Sequence, residues 1–258
     1  MSSQSWRLDR IMEHVSLSPT LTGTALIDIS HKTIIQKADD LVNGLSDNGD
    51  RARAIHRFVR DRIAFGFVGA PWKIRASDVL HGRIGYSMTK TSLFVALVRA
   101  AGIPARIVFT DIGSEIFTGF LEPGTPLVDH CYAELWLNDR WLSIDSHIVD
   151  APLFQAAQAQ LQKEGRTFGY GVHFHGTINW DGQSDSFVQL AGRPEEGLSE
   201  RFHGRFGDAD MFHKATLENR MKQGMGSAPR LFLANRRVTR IRHNAVARTH
   251  DQLATNLP

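Results

Sequence analysis

The chain has 258 residues, of which 42% are apolar and 22% are charged, so we expect one generous globular domain, or a smaller domain with an extension. This composition excludes a disordered, collagenous or coiled-coil chain, and no apolar run suggests a membrane span or a signal peptide, so a cytoplasmic protein with no membrane partner is expected. The single cysteine, Cys131, excludes an intramolecular disulfide and a cysteine-rich zinc site.

The positive net charge belongs to the C-terminus. Residues 228–258 carry six arginines against one aspartate, a balance of +5, and because the whole chain has +3, the preceding part holds −2. We therefore expect no nucleic-acid partner and predict a domain over residues 1–227 followed by a basic C-terminal extension over 228–258. The arginine-rich run either binds an acidic partner or forms a solvated helix face.

Helical spacing of apolar side chains predicts three helices in the first part of the chain. Residues 31–44, capped by Ser30, and residues 50–64 each have a polar outer face, so they should cover the core. Residues 88–101 are apolar around most of the helix circumference, so this helix should be buried. A strand over 106–110 follows, and a buried helix leading into strands behind two covering helices indicates an α+β fold.

A β-hairpin is predicted over residues 130–147, with a two-residue loop that pairs Trp136 with Trp141. In this register His130 and Asp145 share one face and lie diagonal to each other, about 5.5–8 Å apart between Cβ atoms. A three-residue loop would place the two side chains on opposite faces. The hairpin thus predicts a His–Asp pair.

The sequence signals weaken after residue 150. Residues 151–163 and 211–223 are predicted as helices from their apolar spacing. Residues 165–182 are predicted as loops with short strands. Residues 191–208 form the least ordered stretch of the prediction.

The segment GYSMTKTSLFVALVRAAGIPAR, residues 85–106, closely resembles the nucleophile helix of the transglutaminase-like superfamily. That pattern runs Gly-x-Cys, with Lys three residues later and a closing Arg-Ala-x-Gly-Ile-Pro-Ala-Arg, which Lys90 and residues 102–106 match. Two further blocks of the family follow in order, as a His-x-x-x-Glu strand and a Trp-x-x-x-Asp strand: His130, Glu134, Trp141 and Asp145.

The resemblance covers about residues 17–150 and implies a papain-like α+β fold, with the buried nucleophile helix packed on an antiparallel β-sheet. It implies a thiol hydrolase or acyltransferase whose catalytic triad corresponds to Ser87, His130 and Asp145. The expected reaction is hydrolysis of an amide, a peptide or a small amide-like metabolite through an acyl-enzyme. No cofactor or metal is implied, because thiolate, imidazole and carboxylate suffice for this chemistry.

Ser87 departs from the family because it occupies the position of the catalytic cysteine. Cys131 cannot replace that cysteine, since alternation along the strand turns it away from His130. We expect an inactivated Cys-to-Ser form that binds substrate and turns it over poorly, because a serine hydroxyl is too weak an acid to form a thiolate-like ion pair. Two alternatives stay open: a native serine in a slow hydrolase or ligand-binding pseudoenzyme, and lyase, cyclase or isomerase chemistry on a small molecule.

The predicted substrate is a small molecule or a peptide, and aromatic and imidazole side chains are predicted to contact it: Tyr86, Tyr132, Trp72, His173, His175 and Tyr170. His173 and His175 would share one face of a strand, a spacing that suits metal binding. With 12 histidines in the chain such a pair is expected by chance, so we predict no metal site.

Overall fold

The computed structural model describes residues 18–122, 124–190, 199–215 and 227–255. The α-helices within these ranges are α1 (Lys32–Val42), α2 (Asn48–Arg62), α3 (Ala76–Gly82), α4 (Ser87–Ala100), α5 (Ala151–Glu164), α6 (Ala209–Ala215) and α7 (Ala228–Thr255). The strands are β1 (Ala64–Phe65), β2 (Ile84–Gly85), β3 (Ala105–Gly113), β4 (Leu127–Leu137), β5 (Arg140–Ile144), β6 (Phe168–Gly169), β7 (Val172–His173) and β8 (Ser199–Phe206). The predicted α+β class is confirmed.

The largest sheet of the described residues is antiparallel and has the strand order β5-β4-β3-β8. The β4–β5 hairpin turns on Asn138 and Asp139, whose φ angles of 52° and 60° suit the two-residue type I′ loop. Trp136 therefore pairs with Trp141, and the predicted register is confirmed. Strand β5 ends one residue before Asp145, which lies just beyond the strand rather than within it as predicted.

Helix α4 is buried at the centre of the larger hydrophobic core, as the sequence predicts. All but the last of its residues are buried, and they pack against the sheet face that carries Cys131, Ala133 and Leu135. Gly85 is required just before the helix, because a Cβ atom there would lie only 2.5 Å from Oγ1 of Thr89. The sheet and α4 thus form the predicted buried helix on an antiparallel sheet.

Helices α1 and α2 both pack against α4, which confirms their predicted covering role. The predicted cap of α1, Ser30, is wrong by one residue, because Nδ1 of His31 accepts the hydrogen bond from the backbone N–H of Thr33. The Asp47 carboxylate caps α2, which therefore begins two residues before its predicted start.

Strand β8 corrects the prediction of an irregular stretch over 191–208. Residues 199–206 pair with β3 at the edge of the sheet, and a register shift falls between Phe109 and Thr110 of β3. Gly204, with φ of 119°, interrupts the period-2 pattern that would have predicted this strand. Residues 191–198 lie outside the described residues, as does the part of the predicted helix 211–223 that follows α6.

Helix α7 lies within the predicted basic extension and packs against α5. Leu231 and Val238 of α7 enter a second hydrophobic core, which also contains Tyr86 and Phe67. The Asn235 side chain binds the backbone of Phe67 in both directions, accepting from N–H at 2.8 Å and donating to the carbonyl oxygen at 2.9 Å. The domain boundary at residue 228 stays a prediction. Among the described helices, none has the length and apolar character of a membrane span.

Candidate active site

Position 87 lies at the N-terminus of α4, where the first backbone N–H groups of a helix have no intrahelical acceptor. Ser87 is only 3% exposed, so its hydroxyl is shielded from bulk water. Tyr86 precedes the helix in extended backbone, and its N–H donates to Oγ1 of Thr89 at 3.1 Å. Negative charge that develops at position 87 would be stabilised by the positive end of the helix dipole.

His130 and Asp145 lie together and are buried, being 2% and 0% exposed. Nε2 of His130 is 3.5 Å from Oδ2 of Asp145, which is ion-pair distance. Among the described residues Nε2 has no hydrogen-bond partner, so the two side chains lie at ion-pair distance without a hydrogen bond. Catalytic hydrogen bonds are often long without substrate and shorten when it binds, so the contact remains compatible with a histidine–carboxylate pair.

Three consecutive backbone N–H groups hold the Asp145 carboxylate. Val188 donates to Oδ1, while Gln189 and Leu190 donate to Oδ2 at 3.2 and 3.0 Å. Successive N–H groups of this kind form an anion-binding concavity, which fixes the carboxylate independently of His130. No sequence signal points to this segment, because it lies more than 40 residues downstream in a loop without a periodic pattern.

Cys131 is fully buried on the face of β4 that packs against α4. Burial raises the pKa of its thiol; a hydrogen bond with the Thr91 side chain opposes this rise, and the charges of Asp145 and Asp129 add to it. A buried thiol with a raised pKa is a poor nucleophile. The structure therefore supports the expectation that Cys131 does not replace the missing catalytic cysteine.

Two buried histidines, which received no role from the sequence, link the segment just after Asp145 to helices α2 and α4. Nε2 of His56 is 2.8 Å from Oγ of Ser146, and Nε2 of His147 is 3.0 Å from Oγ1 of Thr91 in α4. Burial, assisted by nearby cationic side chains, lowers the pKa of His56 to about 3. Burial also lowers the pKa of His147, so both imidazoles are neutral near pH 7.

We expect the protein to lose stability as the pH falls below about 6.5, because the unfolded chain then binds protons that folded His56 and His147 refuse. Each residue should lower the free energy of unfolding by up to about 1.4 kcal/mol per pH unit. For His56 the loss continues down to its folded pKa of about 3. Urea unfolding at several pH values between about 4 and 7 measures the slope.

The matched variants for this experiment are His56→Phe and His81→Gln. Phenylalanine can pack against Phe94 and Trp180, the aromatic neighbours of His56. It removes one titrating group, so the free energy of unfolding should depend less steeply on pH. His81 is exposed, so its replacement should leave the slope unchanged. Identical slopes in all three proteins would contradict the role given to His56.

Two of the predicted substrate contacts lie beside the candidate triad. Tyr86 is adjacent to Ser87 and is 2% exposed. Tyr132 shares the strand face of His130, two residues along β4, and its ring centroid is 5.9 Å from that of Phe187. Both remain candidates for contacting substrate.

Tyr170 and Trp72 make contacts away from the triad residues. The Tyr170 hydroxyl donates to Oε1 of Glu164 at 2.6 Å, so its polar end is engaged next to α5. The ring of Trp72 stacks on that of His213 in α6, with centroids 4.6 Å apart. Their predicted substrate contacts stay predictions without further support from these interactions.

His173 and His175 are close, with ring centroids 5.7 Å apart. Nδ1 of His173 accepts a hydrogen bond from the backbone N–H of His175 at 3.1 Å, so one of the imidazole nitrogens that could bind a metal is already in use. The backbone N–H of His173 donates to the carbonyl oxygen of Val188 at 2.9 Å. Strand β7 therefore supports the segment that holds the Asp145 carboxylate.

A different group, unforeseen from the sequence, offers metal-ligand atoms. Asp111, Asp129 and His203, from three neighbouring strands, each have one such atom within 4.8 Å of the others. Nε2 of His203 is 2.7 Å from Oδ1 of Asp111, so the imidazole already serves as a partner of that carboxylate. The predicted absence of a metal stays a prediction.

Residues 35–146 match the family model described as the transglutaminase-like superfamily. This range contains the start of α4, β4 with His130, and Asp145. The resemblance seen in the sequence is therefore confirmed over this range.

Comparison with solved structures found similar folds at low sequence identity. One is described as the "Putative Cysteine Protease" from Cytophaga hutchinsonii, with 16% identity, a TM-score of 0.46, and coverage of 76% of this chain and 48% of that chain. Another is a "putative protease" from Parabacteroides distasonis ATCC 8503, with 13% identity, a TM-score of 0.34, and coverage of 50% and 26%. The matches span about half of the first protein and a quarter of the second. Comparison with curated proteins gave no match.

Proposed function

We propose that this domain is built for acyl transfer, with the nucleophile at position 87, His130 as general base and Asp145 as the group that orients the imidazole. The observation that carries the proposal is that Ser87 begins a buried helix, while His130 on β4 and Asp145 just after β5 are buried with their side chains 3.5 Å apart. We further propose hydrolysis of an amide, a peptide or a small amide-like metabolite as the reaction.

In the proposed reaction the nucleophile gives its proton to His130 and forms a bond to the substrate carbonyl carbon. Because Nε2 of His130 faces Asp145, Nδ1 is the nitrogen that takes this proton. The carbonyl π electrons move to oxygen, and the backbone N–H of residue 87 stabilises the oxyanion that forms. When the C–N bond breaks, the leaving nitrogen takes the proton from His130. Water then repeats the sequence, releasing a carboxylic acid.

We further propose that Ser87 stands in place of a cysteine. A thiol at a helix N-terminus beside an imidazole ionises near neutral pH, which a serine hydroxyl does not. With Ser87 the reaction needs general-base help from His130 throughout the attack. The chain with Ser87 should therefore bind substrate and turn it over slowly.

A ligand-binding pseudoenzyme is the second candidate function, and one observation favours it. Nε2 of His130 lies against Asp145 without a hydrogen bond, while the carboxylate is occupied by three backbone N–H groups. A non-catalytic protein would tolerate such a loose pair. The two candidates differ in whether a nucleophile at position 87 becomes acylated.

The experiment that tests the proposal uses p-nitrophenyl acetate and the Ser87→Cys variant. Residue 87 should become acetylated in a burst that releases p-nitrophenolate, and peptide mass spectrometry should locate the acetyl group there. Ser87→Ala is the control and should show no acetylated residue at this position, while His130→Ala in the cysteine background should slow the burst by about 10²-fold or more. A Ser87→Cys protein that stays unacetylated at residue 87 would favour the pseudoenzyme.

A further inference from the structure

The Tyr86 hydroxyl is the most unusual polar group beside position 87. The residue is 2% exposed, and its Oη atom has no hydrogen-bond partner among the described residues. The ring packs near Phe67, with centroids 6.0 Å apart, in the second hydrophobic core. Phenylalanine would fill the same space without burying an unpaired hydroxyl, which destabilises a fold. Packing therefore explains the ring but not the hydroxyl.

The position of Tyr86 points to the reacting centre. Tyr86 directly precedes Ser87 and α4. Its pKa is raised, mainly by burial and further by Cys131 and Asp129, the two residues that flank His130 on β4. The phenol ring lies in the same hydrophobic core as Val128, which is two residues before His130 on β4 and shares its strand face. It also keeps its proton throughout the neutral range, so it is a permanent hydrogen-bond donor.

We propose that the Tyr86 hydroxyl donates a hydrogen bond to the carbonyl oxygen of the acyl substrate and, with the backbone N–H of residue 87, forms the oxyanion site. This inference rests on the proposed acyl-transfer function. It gives Tyr86 a role in the step in which the nucleophile attacks the substrate. It also implies that the substrate is a compound that presents a carbonyl carbon to position 87.

The atoms and electrons of the step balance without another reactant. The nucleophile bonds to the carbonyl carbon, its proton passes to His130, and the π electron pair becomes a lone pair on oxygen. Tyr86 keeps its proton and donates a hydrogen bond that strengthens as negative charge develops on that oxygen. Preorganised donors of this kind accelerate acyl transfer because they need no reorganisation when the charge appears.

The test compares two reactions of the same thiol in the Ser87→Cys background. Acylation by p-nitrophenyl acetate passes through an oxyanion, whereas alkylation by iodoacetamide displaces iodide at a saturated carbon and forms none. Tyr86→Phe should therefore slow acylation of residue 87 by about 10²-fold. It should leave the alkylation rate of the same residue nearly unchanged, because the thiolate itself is intact.

Ser77→Ala, in the same background, is the matched control for loss of a buried hydroxyl. Oγ of Ser77 donates to Oδ2 of Asp28 at 2.5 Å, so this variant should lower the melting temperature and leave acylation unchanged. Tyr86→Phe should show the reverse pattern, with slow acylation and a melting temperature at least equal to that of its parent.

The outcomes separate this inference from the function on which it rests. If the thiol at residue 87 is acetylated equally fast with and without the Tyr86→Phe change, the role of Tyr86 is wrong while the proposed nucleophile stands. If acylation and alkylation slow together, Tyr86 acts on the thiol or on the local structure and the oxyanion role is overturned. If residue 87 of the Ser87→Cys protein is never acetylated, the proposed function fails and this inference fails with it.

Discussion

Ser87→Cys should raise the rate of acylation by p-nitrophenyl acetate at least ~100-fold over the protein with Ser87, a barrier difference of roughly 2.7 kcal/mol. The physical reason is that a thiol at the N-terminus of α4, paired with His130 as proposed, would form a thiolate at neutral pH, whereas a hydroxyl stays protonated. Rapid-mixing measurement of p-nitrophenolate release on both proteins gives the ratio directly. Equal rates would mean that position 87 is not the nucleophile.

The same variant offers an internal control, because the chain then holds two cysteines. Iodoacetamide should alkylate residue 87 much faster than Cys131, whose thiol is fully buried and has a raised pKa. Asp145→Asn should slow alkylation at residue 87, because the carboxylate no longer stabilises the imidazolium that accompanies the thiolate. Faster alkylation of Cys131 would contradict both the site and its electrostatics.

The site residues in helices and strands could be predicted from the sequence, because interactions between residues close in the chain determine their positions. The loop at Asn138 and Asp139 sets the hairpin register, and the register brings His130 towards Asp145. The apolar run after Ser87 makes α4 a buried helix, which places position 87 at a helix terminus. Each of these steps uses residues that are close in sequence.

The parts that escaped prediction depend on contacts between distant segments. The three N–H groups of residues 188–190 reach the Asp145 carboxylate through backbone atoms, which leave no side-chain signature in a sequence. The buried position of His56 depends on the packing of α2 against the loop after β5. Strand β8 joins the sheet at its edge, and the sequence pattern of an edge strand is weak.

Lys90 matches the lysine of the family pattern, but its structural role becomes visible only in the folded chain. Its ammonium group is fully buried and donates to the carbonyl oxygens of Ile63 and Arg60, at 2.6 and 3.3 Å, where α2 ends. Burial lowers the pKa of Lys90 to about 7 despite the opposing charge of Asp150. The side chain therefore ties α4, which begins at position 87, to the C-terminus of the neighbouring helix.

Arg242→Gln should destabilise the protein by about 2–3 kcal/mol, the largest stability effect that we expect from a single residue of α7. Nε and Nη2 of Arg242 each donate to the Asp150 carboxylate at 2.8 Å, and Nη2 also donates to the carbonyl oxygen of Phe65 at 2.8 Å. Removing the guanidinium leaves a carboxylate that is only 4% exposed without its cation. The Arg242 side chain is 18% exposed, so we expect less than the roughly 3–5 kcal/mol of a fully buried pair.

The Asp150 carboxylate contacts three elements, β1, α5 and α7, which is why the loss of Arg242 should have a large effect on stability. It caps α5 by accepting from the N–H of Leu153 at 3.3 Å, and it accepts from the N–H of Phe65 at 2.9 Å. Burial alone would raise the pKa of Asp150, but Arg242, the charge of Lys90 and the N–H of Phe65 together lower it. The loss should therefore reach β1 and the start of α5, beyond α7 itself.

Urea unfolding of Arg242→Gln measures the loss of stability, and Arg240→Gln is the control. Arg240 is exposed on the same helix, so its replacement should change the free energy of unfolding by no more than about 0.5 kcal/mol. Hydrogen exchange should show faster amide exchange in α7 and at Phe65 in the first variant only. Adding Asp150→Asn to Arg242→Gln should recover part of the lost stability, because asparagine can still cap α5 and leaves no buried charge unpaired. Equal stability of the two single variants would mean that residues 228–255 are not held by this ion pair, and the basic extension would then have to be treated as independent of the domain that carries the site.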